Sequence, residues 1–244
     1  MPDDRRQYAE LAELAGSFIH EIKNHLSTLG LNLQLLAEDL SDPQTQRERR
    51  ALERTSRLQS ECLRLVELSN DFLRFARIKE LDFQPASIPE VVEELVEFFE
   101  PTARQSNIEI ECYLPADLPR LRLDRELFKQ ALLNLLLNAQ QAMPAGGRVT
   151  IQAKPVANSV VSAPQSAIRN PQSAIELCVI DTGKGMSPEV VAKAFEPFYS
   201  TRSGGTGLGL ATARKIVEAH GGSIELESAE GRGTKFTIHL PAIV

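Results

Sequence analysis

The chain has 244 residues, 42% of them hydrophobic and 25% charged, with a formal net charge of −6. That length suits one or two domains, and that composition buries a core and rules out a wholly disordered chain. An acidic balance argues against a surface that coats nucleic acid or anionic membrane, because phosphate binding needs clustered Lys and Arg.

Cys62, Cys112 and Cys178 are odd in number and far apart. They suit reduced thiols in a cytosolic setting better than a disulfide framework or a zinc site. No run approaches the roughly 18 consecutive apolar residues of a membrane span. The densest, Ala131 to Ala142, is interrupted by Asn134 and Asn138. The N-terminus lacks the apolar core of a signal peptide. The expected location is therefore cytoplasmic, with no membrane span.

In chain order, Leu11, Leu14, Phe18, Ile22, Leu26, Leu29, Leu33, Leu36 and Leu40 recur at steps of three or four. That spacing predicts a long helix with one continuous apolar stripe. Ser41-Asp42-Pro43 breaks it. Leu52, Leu58, Cys62, Leu65, Phe72 and Ala76 then predict a second helix. A lone hairpin leaves half of such a stripe wet, and pairing two hairpins into a four-helix bundle buries it. The expectation is a symmetric homodimer with residues 1–82 as its dimerisation unit.

Residues 83–244 read as a second domain. LDFQPASIP (81–89) is a linker or first strand. Residues 91–104 look helical, and 108–114 alternate as a strand should. Residues 121–123 are a short strand running into a helix over 125–143, which Gly146-Gly147 ends. Strands follow at 148–153 and 175–181, then a helix over 208–219 and a closing hairpin, 224–228 with 235–240. Strands in one sheet with helices on one face make an α+β sandwich. Between two of the strands, 155–174 carries PQSAI twice and three prolines, and reads as a flexible surface loop.

Four motifs carry chemistry. His20 lies about 200° around the helix from the Phe18 and Ile22 stripe and faces solvent. Glu21 beside it is able to hold one ring proton while the other nitrogen attacks, although the pair taken alone also reads as ordinary solvated surface. Asn134 and Asn138 put two carboxamides one turn apart on one helical face. They suit Mg²⁺ coordination, or equally a pair of cap or interhelix hydrogen bonds. Asp181-Thr182-Gly183-Lys184-Gly185 ends an apolar strand, where a carboxylate is able to accept from an amino group such as that of adenine. Gly204 to Leu210 opens a helix whose free N–H groups suit phosphate. Its GxGxxG-like string is not a dinucleotide fingerprint, because no strand runs directly into it and no βαβ unit follows. Phe195 to Arg202 has the composition of a lid over a nucleotide.

The order of these motifs resembles the sensor histidine kinases of two-component systems over roughly residues 8–243. His20-Glu21-Ile22-Lys23-Asn24 resembles the H box, Asn134 to Asn138 the N box, and Asp181 to Gly185 the G1 box. Phe195-Glu196-Pro197-Phe198 resembles the F box, Gly205 to Leu210 the G2 box, and Gly231 to Phe236 the glycine motif before the last strand. The resemblance implies an all-α helical hairpin, forming a dimeric four-helix bundle, followed by an α+β sandwich of the histidine kinase, gyrase B and Hsp90 ATPase type.

It also implies roles. His20 is the phospho-acceptor, Glu21 takes its other proton, and Asn24 completes a pattern linked to phosphatase activity on the regulator. ATP falls to Asn134, Asn138, Asp181, Gly183, Gly185, Phe195, Phe198, Arg202, Gly205, Thr206, Gly207, Leu208 and Gly209, with Mg²⁺ held by Asn134 and Asn138. The partners implied are a cognate response regulator whose aspartate receives the phosphoryl group and a second copy of the chain. With so little chain ahead of the hairpin no sensor domain is expected in it, which leaves room for a separate sensor or adaptor protein. The alternative is a GHKL-fold ATPase, or a protein serine kinase of the anti-sigma type; neither needs the H-box helix. Three departures stand out: His25 where the family usually has Pro, Arg202 where Lys is frequent, and Gln141 in place of a basic residue. His220 reads as structural.

Overall fold

The computed structural model describes residues 22–76, 78, 81–156, 174–202 and 205–241. Two compact units emerge. One comprises the helices up to residue 77 together with Arg202–Thr206; the other is Ile78–Thr201 with Gly207 onward.

In the helical unit, α1 spans residues 22–39 and α2 spans Gln46–Ala76. A reciprocal cap starts α2. Glu48 N–H donates to Thr45 Oγ1 (3.2 Å), while Glu48 Oε2 accepts from Thr45 N–H (3.0 Å) and Gln44 N–H (2.7 Å). These backbone donors satisfy groups that a helix start otherwise leaves orphaned, and they hold the Glu48 carboxyl below its usual range. The buried line of α2 is Thr55, Cys62 and Ser69, a seven-residue repeat. Leu58 and Leu65, expected in the buried stripe, are 56% and 45% exposed, and Leu29 and Leu36 on α1 are 50% and 46% exposed. The small side chains of α2 face inward, so the leucines three residues on lie along the flank. The expected start of the first helix, with Leu11, Leu14 and Phe18, lies outside the described residues.

The second unit contains β1 (Gln84–Ala86), α3 (Ile88–Gln105), β2 (Ile108–Tyr113), β3 (Leu121–Leu123), α4 (Arg125–Ala142), β4 (Gly147–Val156), β5 (Ala174–Asp181), α5 (Pro188–Lys193), α6 (Gly209–Ala219), β6 (Ser223–Ser228) and β7 (Thr234–Leu240). The main sheet runs in the order β2-β4-β5-β7-β6, and β1 pairs with β3 in a small second sheet. Only β2 and β4 are parallel; the other neighbours are antiparallel.

Side chains alternate across the main sheet as the pleat requires. Val149, Ile151, Ile175, Leu177, Phe236, Ile238 and Leu240 enter one core with Phe99 of α3, Leu135 of α4 and Ile216 of α6. The opposite face carries register partners of opposite charge. Glu109 opposes Arg148 (3.3 Å), Lys154 opposes Glu176 (3.0 Å), and Glu227 opposes Lys235 (2.9 Å). Such half-solvated pairs each contribute roughly 0.2–1 kcal/mol, but like charges there would oppose this register.

Boundaries differ from expectation in a few places. Ser87 leads into α3 with Pro89 in its first turn, so the helix begins before residue 91. Gly147 starts β4 as well as following the turn, and β4 continues to Val156, which narrows the expected loop. Residues 157–173, including the first PQSAI, lie outside the described residues. The short α5 was not expected: six residues carry no apolar stripe, although Ser187-Pro188-Glu189 is a helix-start signature, with Ser187 Oγ accepting from Val190 N–H (3.4 Å).

Candidate functional site

The site is built from α4, the turn after β5, and the start of α6. Asp124 caps α4, its Oδ1 accepting from Leu127 N–H at 3.0 Å. Phe128, Ala131, Leu132, Leu135, Leu136 and Ala139 bury the helix. Asn134 and Asn138 fall between them, half-buried, one turn apart on the same flank. Asn134 Nδ2 donates to the carbonyl of Gly209 at 3.0 Å, the first residue of α6. Because the amide nitrogen makes that bond, the Asn134 Oδ1 lone pairs remain for other partners.

The end of α4 is tied to the turn after β5. Lys184 N–H donates to Ala142 O at 3.1 Å. Gly183 is packed so closely there that a Cβ on it would lie 2.8 Å from Ala142 Cβ. Asp181, the last residue of β5, is 3% exposed, and its Oδ1 accepts from Gly183 N–H at 2.8 Å. The β6–β7 turn braces the other side, around Gly185. Gly231 N–H donates to Lys184 O (2.7 Å), and Met186 N–H donates to Ser228 Oγ (2.9 Å), whose hydroxyl in turn donates to Gly233 O (2.8 Å).

Further along, Phe198 N–H donates to Gly207 O at 3.0 Å. A Cβ at residue 207 would fall 2.5 Å from the Phe198 carbonyl carbon, so only glycine allows this approach. Phe198 itself is 58% exposed with φ +65°, a left-handed conformation uncommon for a side chain of its size. Leu208 is fully buried. Phe195 turns its ring edge-on to Phe236 (6.4 Å between centroids) under the Arg214 guanidinium (5.7 Å). That packing anchors the start of the segment to the core.

The structure thus places Asn134, Gly209, Asp181 and Gly183 on three elements, α4 being bonded to each of the other two, with Asn138 one turn from Asn134. Arg202, Gly205 and Thr206 group instead with the helical unit, where Thr206 Oγ1 donates to Asp71 Oδ2 at 2.9 Å. Asn24 is exposed on α1. His20 and Glu21 lie outside the described residues. Sequence reasoning passed over Ser228: a serine at a strand end carries no signal until its two backbone partners are known.

Among the described residues no group of three or more His, Cys, Asp or Glu side chains gathers to hold a metal. A divalent cation at this site would use carboxamide oxygens, the donor type that Asn134 and Asn138 present, with ligand phosphates completing the shell. The donor set therefore fits Mg²⁺ bound together with a nucleotide. Among the described residues no helix is long and apolar enough to cross a membrane.

Residues 123–243 match the family of histidine kinase-, DNA gyrase B- and HSP90-like ATPases. The signal transduction histidine-protein kinase AtoS of Escherichia coli (strain K12) is 33% identical over 233 residues, covering 96% of this chain and 35% of AtoS. The chain therefore spans about a third of that relative. Full-length ShkA in complex with AMPPNP superimposes with a TM-score of 0.67 at 28% identity, over 94% of this chain and 45% of ShkA. The histidine kinase ThkA in complex with the response regulator TrrA gives a TM-score of 0.65 at 25% identity, over 98% and 64%.

Proposed function

Since the chain belongs to the sensor histidine kinases, its second half being their ATPase domain, we propose that it uses ATP to phosphorylate His20 and passes that phosphoryl group to an aspartate of a response regulator. The observation that carries this reading is the Asn134–Gly209 bond. It joins two segments 75 residues apart, so that the Asn134 carboxamide and the start of α6 meet on the helix whose end is tied to the turn that Asp181 opens.

In this mechanism Asp181 receives the adenine amino group. Gly183 and Gly185 let the backbone approach the ligand. Asn134 and Asn138 would hold Mg²⁺, which would supply neutralisation of phosphate charge. Gly205, Thr206, Gly207, Leu208 and Gly209 present backbone N–H groups to the triphosphate, and the segment from Phe195 through Phe198 to Arg202 covers it. Phosphoryl transfer needs mainly alignment and charge neutralisation. A ring nitrogen of His20 bonds to the γ-phosphorus, the bond to the β-phosphate oxygen breaks, ADP leaves, and Glu21 takes the proton of the other ring nitrogen. Asn24 positions a water for the reverse task, hydrolysis of the phosphorylated regulator.

ShkA's complex with AMPPNP supports nucleotide use, and ThkA's complex with TrrA supports a response regulator partner. The exposed Leu29, Leu36, Leu58 and Leu65 support a second copy packed on residues 1–82, with 83–244 as the ATP-binding domain. We place the reaction in the cytoplasm, where ATP and a regulator are at hand, under the control of a sensor or adaptor.

The test is incubation with γ-labelled ATP and Mg²⁺. The expected label is acid-labile and alkali-stable, as phosphohistidine is, and absent from His20→Gln. An acid-stable label would assign the chain to the serine kinases instead, and persistent labelling of His20→Gln would move the acceptor to another residue.

A further inference from the structure

The helices α4 and α6 are joined at two points, one at each end of α6. One joint is the Asn134–Gly209 bond at the nucleotide site. The other lies at the opposite end of the pair, where His220, the C-cap of α6, meets Asp124, the N-cap of α4. The two joints are ten residues apart on α4 and eleven on α6, about 15–17 Å at the helical rise. The helices therefore run antiparallel, with nearly equal spans between the two joints.

His220 is only 2% exposed and engages both ring nitrogens. The Asp124 backbone N–H donates to Nε2 at 3.0 Å, and Nδ1 lies 2.8 Å from Ile216 O. A backbone amide is always a donor and a carbonyl always an acceptor. Nε2 must therefore be bare, and Nδ1 must carry the hydrogen. Phe83 and Phe128 hold the ring edge-on, with centroids 5.5 and 5.9 Å away. Asp124 is itself a hub: Oδ1 caps α4 through Leu127 N–H and Oδ2 accepts from Asp82 N–H (3.1 Å), just before β1.

We propose that His220 is a positioning residue for nucleotide binding: by fixing the far end of the α4–α6 pair it sets the contact between Asn134 and the start of α6, and its protonation loosens that contact. The proposal rests on the reading of this site as an ATP site. The physical reason is leverage. The middle of the pair is packed by Ala131, Leu135, Ala213 and Ile216. Freeing one end lets α6 tilt about that packing, which carries the Gly209 carbonyl away from Asn134. Adding a proton to Nε2 sets donor against donor at Asp124 and breaks the joint. The charged group facing the ring is the Asp124 carboxylate; Phe83 and Phe128 contribute only carbon, and Ile216 only its carbonyl. Burial outweighs Asp124 and holds the imidazole below its ordinary 6.5.

The experiment uses the full 244-residue chain, Mg²⁺ and ADP, titrated calorimetrically from pH 5.5 to 8. His220→Asn keeps a donor near Ile216 O and does not reach Asp124; it should weaken ADP binding by about tenfold, the loss of one buried hydrogen bond. His220→Gln places a non-titrating acceptor near the Nε2 position. It should bind within about threefold of the native chain at pH 8, where the joint survives. The ratio of native to His220→Gln affinity should fall as pH drops through the folded-state value of His220, which burial holds below 6.5, with phosphate ionisation cancelling in that ratio. Parallel pH profiles would overturn the proposal, as would native-like affinity in folded His220→Asn. If His220→Asn does not fold, the two profiles decide alone. Asp181→Asn serves as the control on the underlying reading: unchanged ADP binding there means the nucleotide reading, not the lever, has failed.

Discussion

Replacing Gly233 by Ala should damage the ATPase domain far more than the same change two residues earlier at Gly231. Both glycines have left-handed backbones, φ +77° and +73°. An L-residue there costs about 1–2 kcal/mol. The surroundings differ. A Cβ at residue 231 has nothing within 4 Å, whereas at residue 233 it would sit 1.9 Å from Asp181 O and 2.9 Å from Asp181 C. That is well short of a normal carbon–oxygen approach of about 3.3 Å. Neither atom is on a flexible side chain, so relief requires Asp181 and its register partner Thr234 to part. Losing one or two ladder bonds adds about 1–3 kcal/mol. The expected cost is about 2–5 kcal/mol for Gly233→Ala against about 1–2 for Gly231→Ala. At about 2–4 °C per kcal/mol in a domain of this size, Tm falls by 10 °C or so in the first and by a few degrees in the second. Calorimetric melts of the domain's transition measure both. Equal shifts would refute the argument that Gly233 is required by contact with Asp181 and not by its dihedral alone. ADP affinity should follow the same order, since the displaced carbonyl belongs to Asp181, the residue proposed to receive adenine.

Ser228→Ala removes the hydroxyl that accepts from Met186 N–H and donates to Gly233 O; the transition should drop by about 1–3 kcal/mol of stability in urea titrations, with weaker nucleotide binding. Leu58→Glu with Leu65→Glu places charge on two exposed positions of α2; light scattering should report a monomer, with the ATPase-domain transition unmoved. Stability should also depend on pH through His220. Its folded-state pKa is depressed, so the unfolded chain takes up the proton more readily. This contribution is present in full above about pH 6.5 and is lost as pH falls from there through the folded value. Urea midpoints over pH 5–8 should show the native chain losing more stability on acidification than His220→Gln.

Local grammar was legible in this sequence wherever one segment carried its own signal. The β5 run ends at Asp181, and α4 starts after Asp124 and is buried by its apolar positions. Periodicity alone gave a poorer account of the hairpin. It reports that Leu58 and Leu65 share a face with Cys62, but not that Thr55, Cys62 and Ser69 would take the inner line. Small residues approach a neighbouring helix closely, and hydropathy does not register that. Pairings between distant segments were invisible. Nothing in residues 108–113 announces a parallel partner at 147–152, and the Asp124–His220 joint spans 96 positions. His220 reads as structural from its neighbours; its hold on α4 appears only when both ring nitrogens are traced.

The sheet order also bears on synthesis. The last strand of the sheet in sequence, β7, lies between β5 and β6. A nascent chain that has emerged only as far as residue 233 leaves one edge of β5 unpaired and lacks the core side chains Phe236, Ile238 and Leu240. Such an edge is a template for joining other chains. Vectorial emergence from the ribosome therefore leaves this half unable to complete its sheet until residues 234–240 arrive. Translation pauses before that point would prolong the exposed state, whereas the α2 helix, built from local contacts, is free to form long before.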